Sequence, residues 1–373
     1  MKTVLALLAL VLAPPILITA PAQASTTWAS VSAGGNHTCG IKPDGSLYCW
    51  GDNSNGQLGV GDTSDRDTPT RVGTSTSWKS VSSGDGHTCA THANGGIYCW
   101  GWNHDGQLGL GDTTDRHTPT RVGTSSSWKT VSSGARNHTC ATHDNGGIYC
   151  WGYNIAGELG VGDTTNRLTP TRVGTSTSWT SVAAGYSHTC ATHSNGGIYC
   201  WGDNSVGTLG VGGTTNRLSP ARIGTSTSWT SVAVGVADTC ATHSSGAIYC
   251  WGSNSNGQLG VGDTTTRGTP TRVGSSTSWK SVHLGGFHAC ATHSSGGIYC
   301  WGVNGQGQLG DGTTTDRHSP TRVGTSSSWK TVSAGGAHAC ARHTNGGIYC
   351  WGANFDGSLG LGDSDPRLVP TRV

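Results

Sequence analysis

Cysteine and histidine are the residues here with the chemistry to bind metals or exchange electrons, and both recur at fixed spacing. Fourteen cysteines form seven pairs ten residues apart: Cys39 with Cys49, Cys89 with Cys99, Cys140 with Cys150, Cys190 with Cys200, Cys240 with Cys250, Cys290 with Cys300 and Cys340 with Cys350. Two residues before the first cysteine stands His37, His87, His138, His188, His288 or His338, with Asp238 in the fifth pair. A second row (His92, His143, His193, His243, His293, His343) follows three residues after that cysteine and is expected to face solvent. Thiolate with imidazole suggests zinc, but a C-x₉-C spacing does not match structural zinc sites. A ring of imidazoles could still hold a metal. The alternative is that each histidine ties down its own turn by hydrogen bonds. No cofactor is expected.

The segments between the cysteines favour disulfides. Each pair brackets a three-residue turn, such as Pro43-Asp44-Gly45 or Ser194-Asn195-Gly196. If residues 193 and 197 close that turn as a hydrogen-bonded pair, Cys190 and Cys200 face each other as a non-hydrogen-bonded pair. There Cα atoms approach to about 4.5 Å, within reach of an S–S bond. Closing such a ring contributes roughly 2.5–3 kcal/mol in the chain-entropy model.

The hairpin belongs to a larger repeat. Units start near residues 28, 78, 128, 179, 229, 279 and 329, each at a tryptophan, and a second tryptophan series runs Trp50, Trp100, Trp151, Trp201, Trp251, Trp301 and Trp351. The period is fifty, with one extra residue in the third copy. In the fourth copy, Trp179–Ala183, His188–His193 and Gly197–Gly202 read as strands with period-two alternation, and Pro220–Ile223 as a short edge strand. No segment has helical periodicity. Seven four-stranded antiparallel units predict an all-β, seven-bladed β-propeller. Similar terminal copies argue for a closed ring rather than a capped solenoid. Its closure is expected by mixing N- and C-terminal strands.

Residues 1–24 read as a cleavable signal peptide: Lys2, the apolar run Val4–Ala13, then Ala22-Gln23-Ala24. Residues 25–373 then form one propeller domain of a secreted or periplasmic protein, where disulfides persist. No later run is long enough to span a membrane. A net charge of +2 with 11% charged residues argues against nucleic-acid binding. A monomer is expected.

The run His188-Thr-Cys-Ala, then Gly197-Ile-Tyr-Cys-Trp-Gly202, Asn204, Gly207, Leu209 and Gly210, resembles the regulator-of-chromosome-condensation (RCC1-type) repeat family, in an exported, bacterial-like form. The resemblance covers the mature chain and implies a seven-bladed propeller. A nuclear member exchanges nucleotide on a small GTPase and docks on chromatin, but the leader and predicted disulfides contradict that setting. A plant member senses ultraviolet light through tryptophans beside the repeated histidine; here Gly185-Tyr186-Ser187-His188 and its counterparts lack tryptophan. A looser relative among exported bacterial propellers, with shorter repeats, inhibits β-lactamases by covering the enzyme with one face.

The copies differ from one another in two places: the turn before the first histidine and the loop after the second tryptophan. Both belong to one face of the disc; the opposite face repeats near-identical hairpin turns. Trp102, Tyr153, Tyr186, Phe287 and Phe355 fall at these variable positions and are the candidate ligand-binding anchors. The reading is a binding protein for an extracellular protein partner, with enzyme inhibition included. The alternative is a lectin-like module for an extracellular polysaccharide through the same rings. A hydrolase or lyase has least support, because no Ser/His/Asp set or carboxylate pair stands apart from the repeat. Glu158, the single glutamate, reads as a surface substitution.

Overall fold

A computed structural model describes residues 27–373, so the leader read at residues 1–24 lies outside the described residues. These residues contain twenty-eight strands and no helix, in seven four-stranded sheets. In the fourth blade the strands are Trp179–Ala184, His188–His193, Ile198–Gly202 and Arg217–Arg222, hydrogen-bonded in that order. First strands line a central channel, so they are innermost and the fourth strands form the rim. The second and third strands are covered on both faces, which is why small and apolar residues fill them. The rim strand is half exposed and starts three residues earlier than expected, with Pro220 inside it. On an outer edge its missing N–H leaves no ladder bond unmade.

The hairpin register is the expected one. Cys190 pairs with Cys200, flanked by His188 with Gly202 and Thr192 with Ile198. Every blade carries the disulfide that its spacing predicts. Cys39 is bonded to Cys49, Cys89 to Cys99, Cys140 to Cys150 and Cys190 to Cys200. Cys240 is bonded to Cys250, Cys290 to Cys300 and Cys340 to Cys350. The Cα–Cα distance is 4.1 Å in all seven, slightly closer than the expected approach, and no cysteine among the described residues is free. Beyond the cysteine the third strand bulges against the fourth, between Cys200 and Gly202. Gly202 has φ +102°, and a Cβ there would lie 2.6 Å from the Ser187 carbonyl oxygen. Only glycine fits that turn.

The core lies between blades. Cys190, Ile198, Cys200, Leu209 and Ile223 of the fourth blade pack against Ala241 and Trp251 of the fifth. The Trp251 indole donates to the Thr208 carbonyl (2.9 Å) while its ring covers Gly210. Each second-series tryptophan is completely buried, a burial worth roughly 2–3 kcal/mol.

The ring is not closed by mixing terminal strands. Each sheet comes from one uninterrupted repeat, the first from Ser30–Arg71 and the last from Trp329–Arg372. Tyr48 pairs with Arg71 across the third and fourth strands, so the first unit is already a complete blade. Closure uses the contacts that join every other pair of blades. Trp28 and Trp50 pack on Cys340, Ile348, Cys350 and Leu359, and Trp28 N donates to Gly346 O (2.8 Å).

Candidate binding face

Each blade ties its two variable segments together. Trp102 N donates to Gly86 O (2.9 Å), Tyr153 N to Asn137 O (2.7 Å), Asp203 N to Ser187 O (2.8 Å) and Val303 N to Phe287 O (3.0 Å). The turn before the second strand and the loop after the third therefore share one face. Neighbouring turns are joined as well: Gly35 N donates to Gly84 O (3.0 Å), Ala135 N to Gly185 O (3.0 Å) and Gly336 N to Gly34 O (2.9 Å). They encircle the mouth of a channel of about 520 Å³. Its wall is serine-rich at Ser82, Ser83, Ser132 and Ser133, and aliphatic at Val234, Val236 and Leu284.

Three of the five candidate aromatics are exposed: Tyr186 at 37%, Phe287 at 47% and Phe355 at 65%. Trp102 and Tyr153 are half-buried. Trp102 lies edge-on to His104, with ring centroids 5.5 Å apart. Tyr153 and Tyr186 come from different blades but meet through Arg136, whose guanidinium carbon lies 4.4 Å and 5.2 Å from their ring centroids. Trp102, Phe287 and Phe355 stand on the second, sixth and seventh blades and make no ring contact with one another. The structure thus gathers two of the five candidates and leaves three dispersed.

Reading aromatic positions alone missed two neighbours. Ile155, directly after the loop asparagine Asn154, is 64% exposed. Arg136 falls in the variable turn lengthened by the single inserted residue of the third copy, and that insertion was its sequence signal. Glu158 is not a surface residue: it is fully buried, its Oε2 accepts from Ala156 N (2.8 Å), and its Oε1 has no partner. Burial raises its pKa above the usual carboxylate range. It takes the place of glutamines such as Gln57, whose Oε1 accepts from Asn55 N.

The first histidine row joins blade to blade rather than pinning its own turn. His37 Nε2 lies 2.8 Å from Thr88 Oγ1 of the next blade, and His87–Thr139, His138–Thr189, His188–Thr239 and His338–Thr38 repeat this at 2.8–3.0 Å. Thr88 Oγ1 donates to Gln57 O (2.8 Å), so the histidine must supply the Nε2 proton. Ala339 replaces the threonine facing His288, and both ring nitrogens of His288 are unpartnered. Asp238 faces a blade with Ala289 at that position, and burial pushes its pKa up to about 8. Burial also pushes the histidines down, to about 4 in His37, His188 and His288 and about 3 in His87, His138 and His338. No group of three or more potential metal ligands is placed to hold an ion among the described residues.

The second row is not solvent-facing. His92 is half-buried, bonds to Ser75 Oγ (3.0 Å) and meets Trp78 edge-to-face at 5.1 Å. His143, His193, His293 and His343 repeat both contacts, His243 keeps the tryptophan contact alone, and Lys42 takes the position in the first blade. These histidines brace the hairpin face.

Fold and site together define a disulfide-stapled, seven-bladed propeller whose copy-specific side chains collect on one loop face around a channel. The RCC1-like domain pattern matches residues 133–373, and the RCC1 repeat matches residues 44–91 and 94–142. The chain belongs to the RCC1-like domain family. It is 35% identical over 143 residues to the ultraviolet-B receptor UVR8 of Arabidopsis thaliana, a stretch covering 38% of this chain and 21% of the receptor. In structure it is similar to human WBSCR16 (TM-score 0.79, 22% identity, 88% of this chain and 93% of that one). Similarity to Prp20p of Saccharomyces cerevisiae is comparable (TM-score 0.79, 23% identity, 93% of this chain and 87% of that one). No helix among the described residues is long and apolar enough to cross a membrane. Seven disulfides accord with an extracellular protein.

Proposed function

We propose that this chain is an exported, monomeric binding protein that recognises an extracellular protein partner through the variable loop face, with Trp102, Tyr153, Tyr186, Phe287 and Phe355 as anchors. Residues 1–24 act as its leader, leaving 25–373 as the working domain. One observation carries the reading: the residues in which the copies differ converge on a single face, while the opposite face repeats one hairpin. Large exposed rings at Phe287, Phe355 and Tyr186, and the exposed Ile155 on the third blade, are the kind of side chain that interfaces bury. Prp20p is described as binding Gsp1p and histones, which supports a protein as the partner. Covering an enzyme with such a face would inhibit it without chemistry of its own.

The polysaccharide reading rests on the same exposed rings, because a sugar stacks on an open aromatic face. The two are separated by immobilising the exported protein and offering it secreted proteins and a polysaccharide panel. The same assay is run on a variant with the five aromatics changed to alanine. Capture of defined proteins by the parent and its loss in the variant is the expected result. Equal capture by both would remove the face from the explanation.

A further inference from the structure

Four departures from the repeat meet at one point between the third and fourth blades. They are the inserted residue in the turn bearing Arg136, Tyr153 in place of the short residues common at that position, Tyr186, and Glu158 in place of glutamine. Arg136 is the sole cation at any of the seven variable turns. Its guanidinium packs against Tyr153 (4.4 Å) and Tyr186 (5.2 Å), yet it has no hydrogen-bond or ion-pair partner among the described residues. The nearby carboxylate of Asp105 is already engaged, accepting from Asn137 Nδ2 (2.6 Å) and Asn166 Nδ2 (3.3 Å). Beneath lies Glu158, close enough to Arg136 to feel its charge, with a buried oxygen that bonds to nothing.

A guanidinium seated over two tyrosine rings, with no hydrogen bond of its own among the described residues, keeps N–H groups for a partner. Cation–π contact fixes its plane and lowers the ordering entropy left for binding, while the N–H fork stays free to meet a carboxylate in two parallel hydrogen bonds. Tyrosine and arginine are enriched among the few side chains that carry most of the binding energy of protein interfaces. A sugar is served less well, because the guanidinium occupies a face of both tyrosines. Apolar surface is also present: Ile155 is exposed, and Ala135 and Tyr186 line the mouth of the channel, whose wall carries Val234, Val236 and Leu284 on the fifth and sixth blades.

We infer that Arg136, clamped by Tyr153 and Tyr186, is the anchor for an aspartate or glutamate carboxylate on the protein partner, with an aliphatic neighbour of that residue packing at the channel mouth. This rests on the protein-binding reading above and adds the chemistry of the partner.

The test measures binding of the exported protein to a panel of linear and disulfide-cyclised peptides carrying Leu-Glu-Leu or Leu-Asp-Leu, against Gln and Asn counterparts and against oligogalacturonate. Acidic peptides should bind at least tenfold more tightly than their amide counterparts, and more weakly as salt is raised. Arg136→Gln should lose at least tenfold, and Arg136→Lys part of that, because a point charge lacks the planar fork. Retained circular dichroism and seven intact disulfides establish that the variants are folded. The inference is overturned if amide peptides bind equally, if Arg136→Gln binds like the parent, or if no peptide binds below millimolar. Arg136-dependent binding confined to oligogalacturonate also overturns it. If Arg136→Gln keeps protein capture that the five-aromatic variant loses, the anchor falls and the face stands; if neither loses capture, both fall.

Discussion

Mild acid should destabilise this propeller, because its blades are joined by histidines that are neutral when folded. Six first-row histidines are at most 1% exposed, with pKa values pushed to about 3 or 4. In the unfolded chain each titrates near 6.5, so between that value and the folded one the unfolded state binds more protons and stability falls with pH. One pH unit below 6.5, each histidine costs about 1.4 kcal/mol, so moving from pH 7 to pH 5.5 removes roughly 7 kcal/mol over the six. Asp238 acts in the opposite sense. Its folded pKa of about 8 lies above the unfolded value, so its cost is present at neutral pH and shrinks as pH falls, returning about 2 kcal/mol over the same interval. The net loss from these seven groups, roughly 5 kcal/mol, is comparable with the whole stability of many domains, and His283, likewise pushed down to about 4 by burial, adds to it. Guanidinium unfolding followed by tryptophan fluorescence, at both pH values with disulfides intact, measures it. The midpoint should fall steeply at pH 5.5. An unchanged or higher midpoint would mean that the row is not held neutral, and the account of inter-blade joining would fail.

Other perturbations test single contacts. Thr88→Val keeps the shape but orphans His37 Nε2, now bonded at 2.8 Å, while Gln57 O keeps the Trp100 indole at 2.9 Å; the loss should be about 1–3 kcal/mol. A double-mutant cycle with His37→Ala should show coupling of at least ~0.5 kcal/mol, and strict additivity would contradict the link. Asp238→Asn should stabilise the protein by a few kcal/mol near pH 7 and leave it unchanged near pH 3.5, read as unfolding midpoints at both pH values. Gly210→Ala should be far more damaging than Gly274→Ala in thermal unfolding. Both have positive φ (69° and 56°), but a Cβ at 210 would lie 2.6 Å from Trp251 Nε1 and one at 274 meets nothing within 4 Å. The second change should cost only about 1–2 kcal/mol for the left-handed backbone; equal losses would refute the role of Trp251 packing.

Much of the fold was legible because the sequence repeats. Alternating residues around Cys190 and Cys200, with a glycine turn midway, place the two cysteines opposite each other whatever the rest of the chain does. Ring closure was not legible, because a complete blade and a shared blade have the same strand count until the pairing of Arg66–Arg71 with Leu47–Gly51 is known. The histidines were misread for a related reason. A regular spacing fixes which face of a strand His37 occupies, not that Thr88, fifty-one residues away, waits on the next blade. Glu158 looked like a surface residue because a charged residue ordinarily is one; burial of the glutamine position it occupies belongs to the packing of neighbouring blades.

By itself the sequence determined the number of blades, the antiparallel hairpins, the cysteine pairing and the face on which variation collects, since all of these follow from local periodicity and turn chemistry. Only the tertiary structure decided which side chains from different repeats become neighbours. Arg136 meets Tyr153 through the hairpin of its own blade, where Asn137 O accepts from Tyr153 N, but it meets Tyr186 because the fourth blade packs beside the third around the ring, a neighbour that no local pattern predicts.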